Sequence, residues 1–338
     1  MILSVTSERG QYPVVIESGC LGRAGDFFNL DRKCLILTDE NIPKEYIEKI
    51  VFACKDPFVF VIPSGEDSKS LDTLSNIVSF MLEKGFDRKS CLISCGGGVV
   101  GDLGGFVASV FMRGIDFYNI PTTTLSQVDS SIGGKVAVNF KGLKNMVGAF
   151  YPPKGVLIDP ETLKSLPRRQ ISNGLCEAVK MALCFDSELF SLFEREDAGE
   201  HLEEIMIKSL EIKKRVVEED EKEAGLRKVL NFGHTLGHAV EKKSIFSGKG
   251  LFHGECVALG MIPMCSDTVR ERLIPVLERI GLPTKMPYEP EEVFSALSHD
   301  KKMAGDQITV VFVEEVGSYR LEKMPFDQFI SLLKERMR

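Results

Sequence analysis

A chain of 338 residues with 43% hydrophobic side chains has material for two hydrophobic cores or one large one. Its formal charge of -7 argues against nucleic acid or an anionic membrane as partner, since both bind basic faces, so a phosphorylated ligand would need a local basic pocket. Nine cysteines without a CxxC pair suggest neither a thiolate zinc site nor a disulfide framework, and no apolar run reaches membrane-spanning length, so a soluble cytoplasmic protein is expected.

The first half alternates short β-rich runs with helical patterns, as a parallel sheet with crossover helices does. Val14 to Ile16, Cys34 to Leu37, Phe58 to Ile62 and Cys91 to Ser94 read as strands, with another running into Ile120-Pro121. Leu71, Leu74, Ile77, Val78, Met81 and Leu82 recur at helical spacing, and Gly85 supplies the stop. From Pro160 the pattern turns helical. Leu175, Val179 and Leu183, then Leu189, Leu192 and Phe193, mark two short helices, and Leu202 to Val216 gives a longer amphipathic one. A helix carrying His234 and His238 follows, then a long one after Gly254 with a kink at Pro263. The chain returns to β at Ile308 to Val313 and Tyr319 to Leu321 and closes on an amphipathic helix. The composition shift at Tyr151-Pro-Pro and Asp159-Pro160 divides it into residues 1–158, an α/β Rossmann-like parallel-sheet domain, and 159–338, a mainly α-helical one.

Gly96, Gly98 and Gly101 form GxGxxG between a strand and a helix, where bare backbone N–H groups and a helix N-terminus can cradle a pyrophosphate. The motif follows the third or fourth strand instead of the first, so taken alone it also fits a tight turn. Asp39 and Asn41 after one strand, and Glu66 and Lys69 after the next, stand where ligands gather in open α/β sheets. The polar stretch from Thr122 and Thr123 through Asp129 to Gly134-Lys135, followed by Lys144-Asn145, resembles the end of a phosphate loop. It fails the Walker spacing, because Val136 follows Lys135. Arg113 offers a planar fork for carboxylate or phosphate.

Three of the five histidines fall between positions 234 and 253. His234 and His238 are spaced i,i+4, so on a helix their rings share a face. By spacing alone both would be metal ligands, with Glu177 or His253 completing an open tetrahedral site. Glu177 lies in an apolar helix and wants a cation, which Lys180 one turn later supplies equally well. No HExxH occurs, so a zinc-protease base is missing from its expected place.

These motifs together resemble the 3-dehydroquinate synthase family nearly end to end, through Gly-Gly-Gly-Val-Val-Gly-Asp, Phe-Met-Arg-Gly, Asp-Ser-Ser-Ile-Gly-Gly-Lys, Gly-Leu-Cys-Glu-Ala-Val-Lys, Asn-Phe-Gly-His-Thr-Leu-Gly-His and His-Gly-Glu. The segment Glu241 to Phe252 departs from the family's Gly-Tyr-bearing loop. The resemblance implies a homodimeric enzyme that converts a phosphorylated sugar acid, 3-deoxy-D-arabino-heptulosonate 7-phosphate, to 3-dehydroquinate and phosphate. NAD would serve catalytically, beside one divalent metal, zinc or cobalt. Carried over residue by residue, the metal ligands are Glu177, His234 and His253, and His238 becomes a proton-transfer group. Lys135, Glu223 and His238 form the catalytic set. Asp39, Asn41, Glu66, Lys69, Gly98, Val99, Val100, Gly101, Asp102, Thr122, Thr123, Lys135, Lys144 and Thr162 would hold NAD. Arg113, Asp129, Lys135, Lys144, Asn145, Arg227, Asn231, His234, His238, His253 and Lys302 would meet the substrate. Nearby alternatives with the same fold are other sugar phosphate cyclases and metal-dependent polyol dehydrogenases.

Overall fold

The computed structural model describes residues 1–248, 250–304 and 307–337, with the side chains of residues 246 and 298–304 excepted. Two compact units result, Met1–Pro167 with Lys213–Lys222, and Arg168–Ile212 with Glu223–Arg338.

The first unit runs β1 (Ile2–Ser7), β2 (Gly10–Ile16), α1 (Ala24–Phe27), β3 (Lys33–Asp39), α2 (Lys44–Ala53), β4 (Asp56–Ile62), α3 (Leu71–Glu83), β5 (Cys91–Gly96), α4 (Gly98–Val110), β6 (Asp116–Pro121), β7 (Lys135–Phe140), β8 (Leu143–Phe150) and β9 (Gly155–Ile158). Seven strands form one sheet in the order β1-β2-β9-β6-β5-β3-β4, parallel apart from the β1–β2 pair. Its central strands are apolar throughout because both faces are covered. Leu35, Leu37 and Leu92 pack into a core with Ile77 and Met81 of α3 and Leu103 and Val107 of α4. Cys34, Ile36, Cys91 and Ile93 enter a second core with Leu21, Tyr46 and Ile50.

Sheet order fixes where a ligand would bind. The chain leaves β3 for the edge strand β4 but leaves β5 in the opposite direction for β6. The carboxyl ends of β3 and β5 therefore flank a topological switch point, the usual crevice of such sheets, with Asp39 on one side and the glycine motif on the other. A Cβ on Gly104 would lie 2.0 Å from the Ser94 hydroxyl, whereas one on Gly101 would meet Asn119 at an ordinary 3.5 Å. Close approach of α4 to the sheet thus rests on Gly104, outside the GxGxxG pattern.

The expected strands are present, and four further ones, β1, β9 and the β7–β8 pair, were not anticipated. The polar stretch expected to act as a phosphate-type loop forms a π-helical turn at Ser126–Ser130, and the hairpin takes over only from Lys135. Lys135 opens β7, and Gly134 sits against the backbone of Pro152, where a Cβ would come within 2.9 Å of its nitrogen. Residues 159–167 stay with the first unit: Asp159 accepts the N–H groups of Gly19 and Leu21, and Gln127 donates to Asp159 O and Thr162 Oγ1. Lys213 joins it through an ion pair of 2.5 Å with Asp129. The division thus lies nine residues beyond the expected 158/159 boundary, with a stretch of α7 (below) returning to the first unit.

The second unit contains α5 (Arg168–Phe185), α6 (Ser187–Arg195), α7 (Leu202–Glu219, whose last residues belong to the first unit), α8 (His234–Ser247), α9 (His253–Met261), α10 (Asp267–Arg279), α11 (Pro290–Ala304), β10 (Gln307–Phe312), β11 (Arg320–Pro325) and α12 (Phe326–Arg336). The helix expected to kink at Pro263 breaks there. α9 ends at Met261, a 3-10 turn holds Pro263, and α10 begins behind the Ser266 cap, since proline supplies no N–H to continue the ladder. Among the described residues no helix is long and apolar enough to cross a membrane.

Candidate active site

Three helices of the second unit meet at glycines, and that contact brings their polar side chains together. A Cβ on Gly254 of α9 would lie 2.1 Å from the Asn173 carbonyl of α5, and one on Gly260 would lie 2.0 Å from the carbonyl of Gly233, the residue that caps α8. Backbones packed this closely place Glu177 of α5, His234 of α8 and His253 of α9 so that one ligand atom from each lies within 4.8 Å of the others.

Glu177 is fully buried, and its two oxygens have separate surroundings. Oε2 pairs with the buried Lys180 ammonium, whose Nζ also donates to Leu230 O at 2.6 Å. Oε1 faces His253 Nε2 at 3.6 Å and His234 Nε2 at 3.8 Å. The sequence left Glu177 open between an ion pair with Lys180 and a metal; one oxygen takes the Lys180 pair and the other is turned to the two imidazoles. Burial opposes the Glu177 charge, but Lys180, His234 and His253 outweigh it and hold the carboxyl well below its ordinary range.

Each imidazole is braced from behind. His234 Nδ1 lies 3.0 Å from Phe232 O, which takes a proton there and leaves Nε2 as the free lone pair. Burial, then the Lys180 charge, push the His234 pKa down to about 3, so the ring is neutral. Burial also disfavours charge on His253, but the Glu177 and Glu241 carboxylates prevail and raise its pKa to about 9; Glu241 Oε2 lies 3.5 Å from Nδ1. One carboxylate oxygen and two imidazole nitrogens, braced at their far sides, are a donor set suited to a divalent transition metal with coordination positions to spare.

His238 lies one turn beyond His234 and is exposed, with its ring centroid 5.4 Å from that of His234 and 5.9 Å from that of His253. It stands beside the three-residue cluster, outside it, although its nitrogens also group with Glu241 and His253. Glu223, in the left-handed region at φ 62°, accepts from Asn231 Nδ2 at 2.5 Å, which joins two expected site residues, and Arg227 between them is buried. The side chain of Lys302 lies outside the described residues. The segment after His238 continues α8 to Ser247 and stops at the left-handed Gly248; Ser244 Oγ then accepts from Leu251 N–H at 2.7 Å, holding the approach to His253.

In the first unit the expected dinucleotide residues form a wall at the carboxyl ends of the strands. α4 starts at Gly98, behind β5, and presents its first N–H groups there. Asp39, at the end of β3, accepts from Asn41 N–H at 2.9 Å, and burial raises its pKa. Lys69 is buried and donates at 2.5 Å to both Asp102 Oδ2 and Asn145 Oδ1. Burial lifts the Asp102 pKa against the pull of Lys69. The structure adds a residue not singled out from the sequence, Asn139 of β7. Its N–H donates to Lys69 O at 2.8 Å, its Nδ2 to Glu66 Oε1 at 2.9 Å, and its Oδ1 accepts from Asn145 N–H at 2.9 Å. Thr122 is buried, and Thr123 is tied to Ser126 at 2.8 Å. The Thr162 hydroxyl is engaged on both sides, receiving from Gln127 and donating to Asp159 O at 2.8 Å. Arg113, Lys135 and Lys144 are exposed, and Arg113 has φ 71°.

The chain is similar to known proteins along nearly its whole length. A family model described as 3-dehydroquinate synthase N-terminal matches residues 59–173, and one described as 3-dehydroquinate synthase C-terminal matches residues 174–303. A curated 3-dehydroquinate synthase from Enterococcus faecalis is 42% identical over 98% of this chain and 98% of its own length. Among solved structures, 2-deoxy-scyllo-inosose synthase complexed with carbaglucose-6-phosphate, NAD+ and Co2+ superposes with a TM-score of 0.88 at 24% identity, covering 99% of this chain and 100% of that one. The 2-epi-5-epi-valiolone synthase of Streptomyces hygroscopicus subsp. jinggangensis, with NAD+ and Zn2+ bound, has a TM-score of 0.85 at 26% identity over 96% of each chain.

Proposed function

The chain belongs to the 3-dehydroquinate synthase family, and from that premise we propose that it turns 3-deoxy-D-arabino-heptulosonate 7-phosphate into 3-dehydroquinate and phosphate with NAD and one divalent metal. It is an enzyme of the sugar phosphate cyclase type. The observation that carries the metal in this proposal is the Glu177 carboxylate, with one oxygen neutralised by Lys180 and the other faced by two imidazole nitrogens.

Glu177, His234 and His253 would hold zinc or cobalt. The glycine turn at Gly98 to Gly101, with Asp39, Asn41, Glu66, Lys69, Asp102, Thr122 and Thr123, would hold NAD, and the engaged hydroxyl of Thr162 makes it a support for that wall. When bound, NAD would take up and return a hydride and the metal would polarise a substrate oxygen, so a turnover shows no net redox change.

The remaining roles belong to the chain's own side chains. His238, exposed and one turn from His234, would pass a proton between substrate and solvent. Glu223, held by Asn231, would complete that relay. The exposed Arg113, Lys135 and Lys144 would meet a phosphate dianion through charge-assisted hydrogen bonds, holding it while it leaves. Asp129, Asn145, Arg227 and Lys302 would contact the carbon skeleton and its hydroxyls. Homodimer formation and a cytoplasmic location belong to the same proposal.

The test is an assay that reads phosphate and NADH together. With the heptulosonate phosphate and catalytic NAD, phosphate is expected once per turnover with no accumulation of NADH. Stoichiometric NADH without phosphate would point to a polyol dehydrogenase, and phosphate release or cyclisation only with sedoheptulose 7-phosphate or glucose 6-phosphate would point to another cyclase.

A further inference from the structure

Arg169, Asn173 and Glu177 lie four residues apart on α5, so they share one helix face. The first two grip the chain on both sides of His253. Arg169 Nε and Nη2 each donate to the Glu255 carboxylate at 2.7 Å, Nη2 also donates to Gly250 O at 2.8 Å, and the guanidinium lies 4.1 Å from the centre of the Phe252 ring. Asn173 Oδ1 accepts from Gly254 N–H at 2.6 Å. Glu255 in turn accepts from Phe252 N–H at 2.7 Å, closing the first turn of α9. Residues 250, 252, 254 and 255 are thus all fixed to the helix face that ends at Glu177. Between them stands His253, whose Nε2 faces Glu177 Oε1.

The side chain of Arg169 is half exposed, so solvent screens the pair and its contribution to stability is small. A planar fork bound twice to one carboxylate does something else: it fixes orientation.

We propose that Arg169 and Asn173 are positioning residues that set His253 against Glu177, so that losing either weakens capture of a metal that neither touches. This rests on the reading of Glu177, His234 and His253 as ligands. Groups that orient metal ligands typically govern affinity by about 10- to 100-fold, and that is the increase in zinc dissociation constant expected for Arg169→Gln and for Asn173→Ala.

The experiment removes metal from the full-length protein, measures the zinc dissociation constant by competition with a chromophoric chelator, and records the melting midpoint of each metal-free variant. A positioning role raises the zinc constant while the metal-free midpoint stays near that of the wild type. A purely structural role lowers the midpoint and leaves the constant within about twofold, which overturns the proposal. If Asn173→Ala does not fold, Arg169→Gln, altered at a half-exposed side chain, decides the matter alone. Glu177→Ala separates the two levels of inference. Loss of zinc there with unchanged affinity in Arg169→Gln refutes the positioning role only, whereas zinc bound as tightly as in wild type by Glu177→Ala refutes the ligand assignment beneath it.

Discussion

The two polar centres of this chain are built on opposite plans. In the first unit Lys69, Asp102, Asn139, Asn145 and Glu66 satisfy one another through hydrogen bonds of 2.5 to 2.9 Å, and the network's product is a fixed wall of loop beside backbone N–H groups. In the second unit it is the inward-facing atoms that converge without bonding to one another: Glu177 Oε1 stands 3.6 and 3.8 Å from two imidazole nitrogens, too far for good hydrogen bonds and close enough to share a cation. A closed network shapes a surface for a large ligand, whereas convergence on one point defines a small one. Removing a member should therefore loosen the first centre and disable the second.

The largest effect is expected from Glu177→Ala, which should abolish stoichiometric metal binding and lower turnover by more than about 100-fold, beyond the usual cost of losing an orienting group. Metal analysis after gel filtration checks it, and chelation of the wild type should give the same loss, reversed by added zinc or cobalt. Next comes the closed network. Lys69→Ala leaves the half-buried Asp102 carboxylate without its ion pair and should weaken NAD by roughly 10- to 100-fold, equivalent to about 1.5–3 kcal/mol for a charged hydrogen bond. Asn139→Ala should weaken NAD by a smaller factor, measured by calorimetry, with little effect on metal content. Retained NAD affinity in both would break the contrast from the first unit's side.

A third prediction concerns packing. Gly104→Ala should destabilise the first unit by about 1–3 kcal/mol through overpacking against Ser94, while Gly101→Ala, inside the GxGxxG pattern, should cost less than about 1 kcal/mol. Urea denaturation of the two variants ranks them. The smallest effect is on pH. Burial raises the Glu255 pKa, but Arg169 and the Phe252 N–H outweigh it and lower it from the ordinary 4.5. A depressed carboxyl contributes stability above its unfolded pKa and loses it as pH falls through the folded value. Acid melts below about pH 4.5 should therefore be less steep for Arg169→Gln, by a small margin because the pair is partly exposed.

The chemistry of the second centre was more legible in the sequence than that of the first. Histidines are scarce here, and i,i+4 spacing converts directly to a shared helix face, so His234, His238 and His253 stood out. Spacing alone could not separate ligand from neighbour, because that depends on how α8 crosses α9, which the glycines decide in three dimensions. The clamp from Arg169 and Asn173 was hidden because its partners lie some eighty positions away in sequence. In the first unit the buried parallel strands were readable as unbroken apolar runs. The β7–β8 hairpin was missed although a signal existed: Val136 and Val138 alternate before Lys141-Gly142, a two-residue turn with φ 49° and 78°. Its charged, glycine-containing composition reads first as a loop, and with the hairpin went Asn139. Pro263 was noticed, but a proline marks an interruption without saying whether the helix bends or stops.

The central claim is that the second unit's cluster divides its histidines, with His234 a ligand and His238 a proton-handling neighbour. Metal content per chain in His234→Ala and His238→Ala, measured on folded protein after removal of free zinc, tests it most directly. The account predicts no bound metal in His234→Ala and one metal per chain in a nearly inactive His238→Ala. Equal metal loss in the two variants would contradict it and restore the pairwise clamp that the i,i+4 spacing alone suggests.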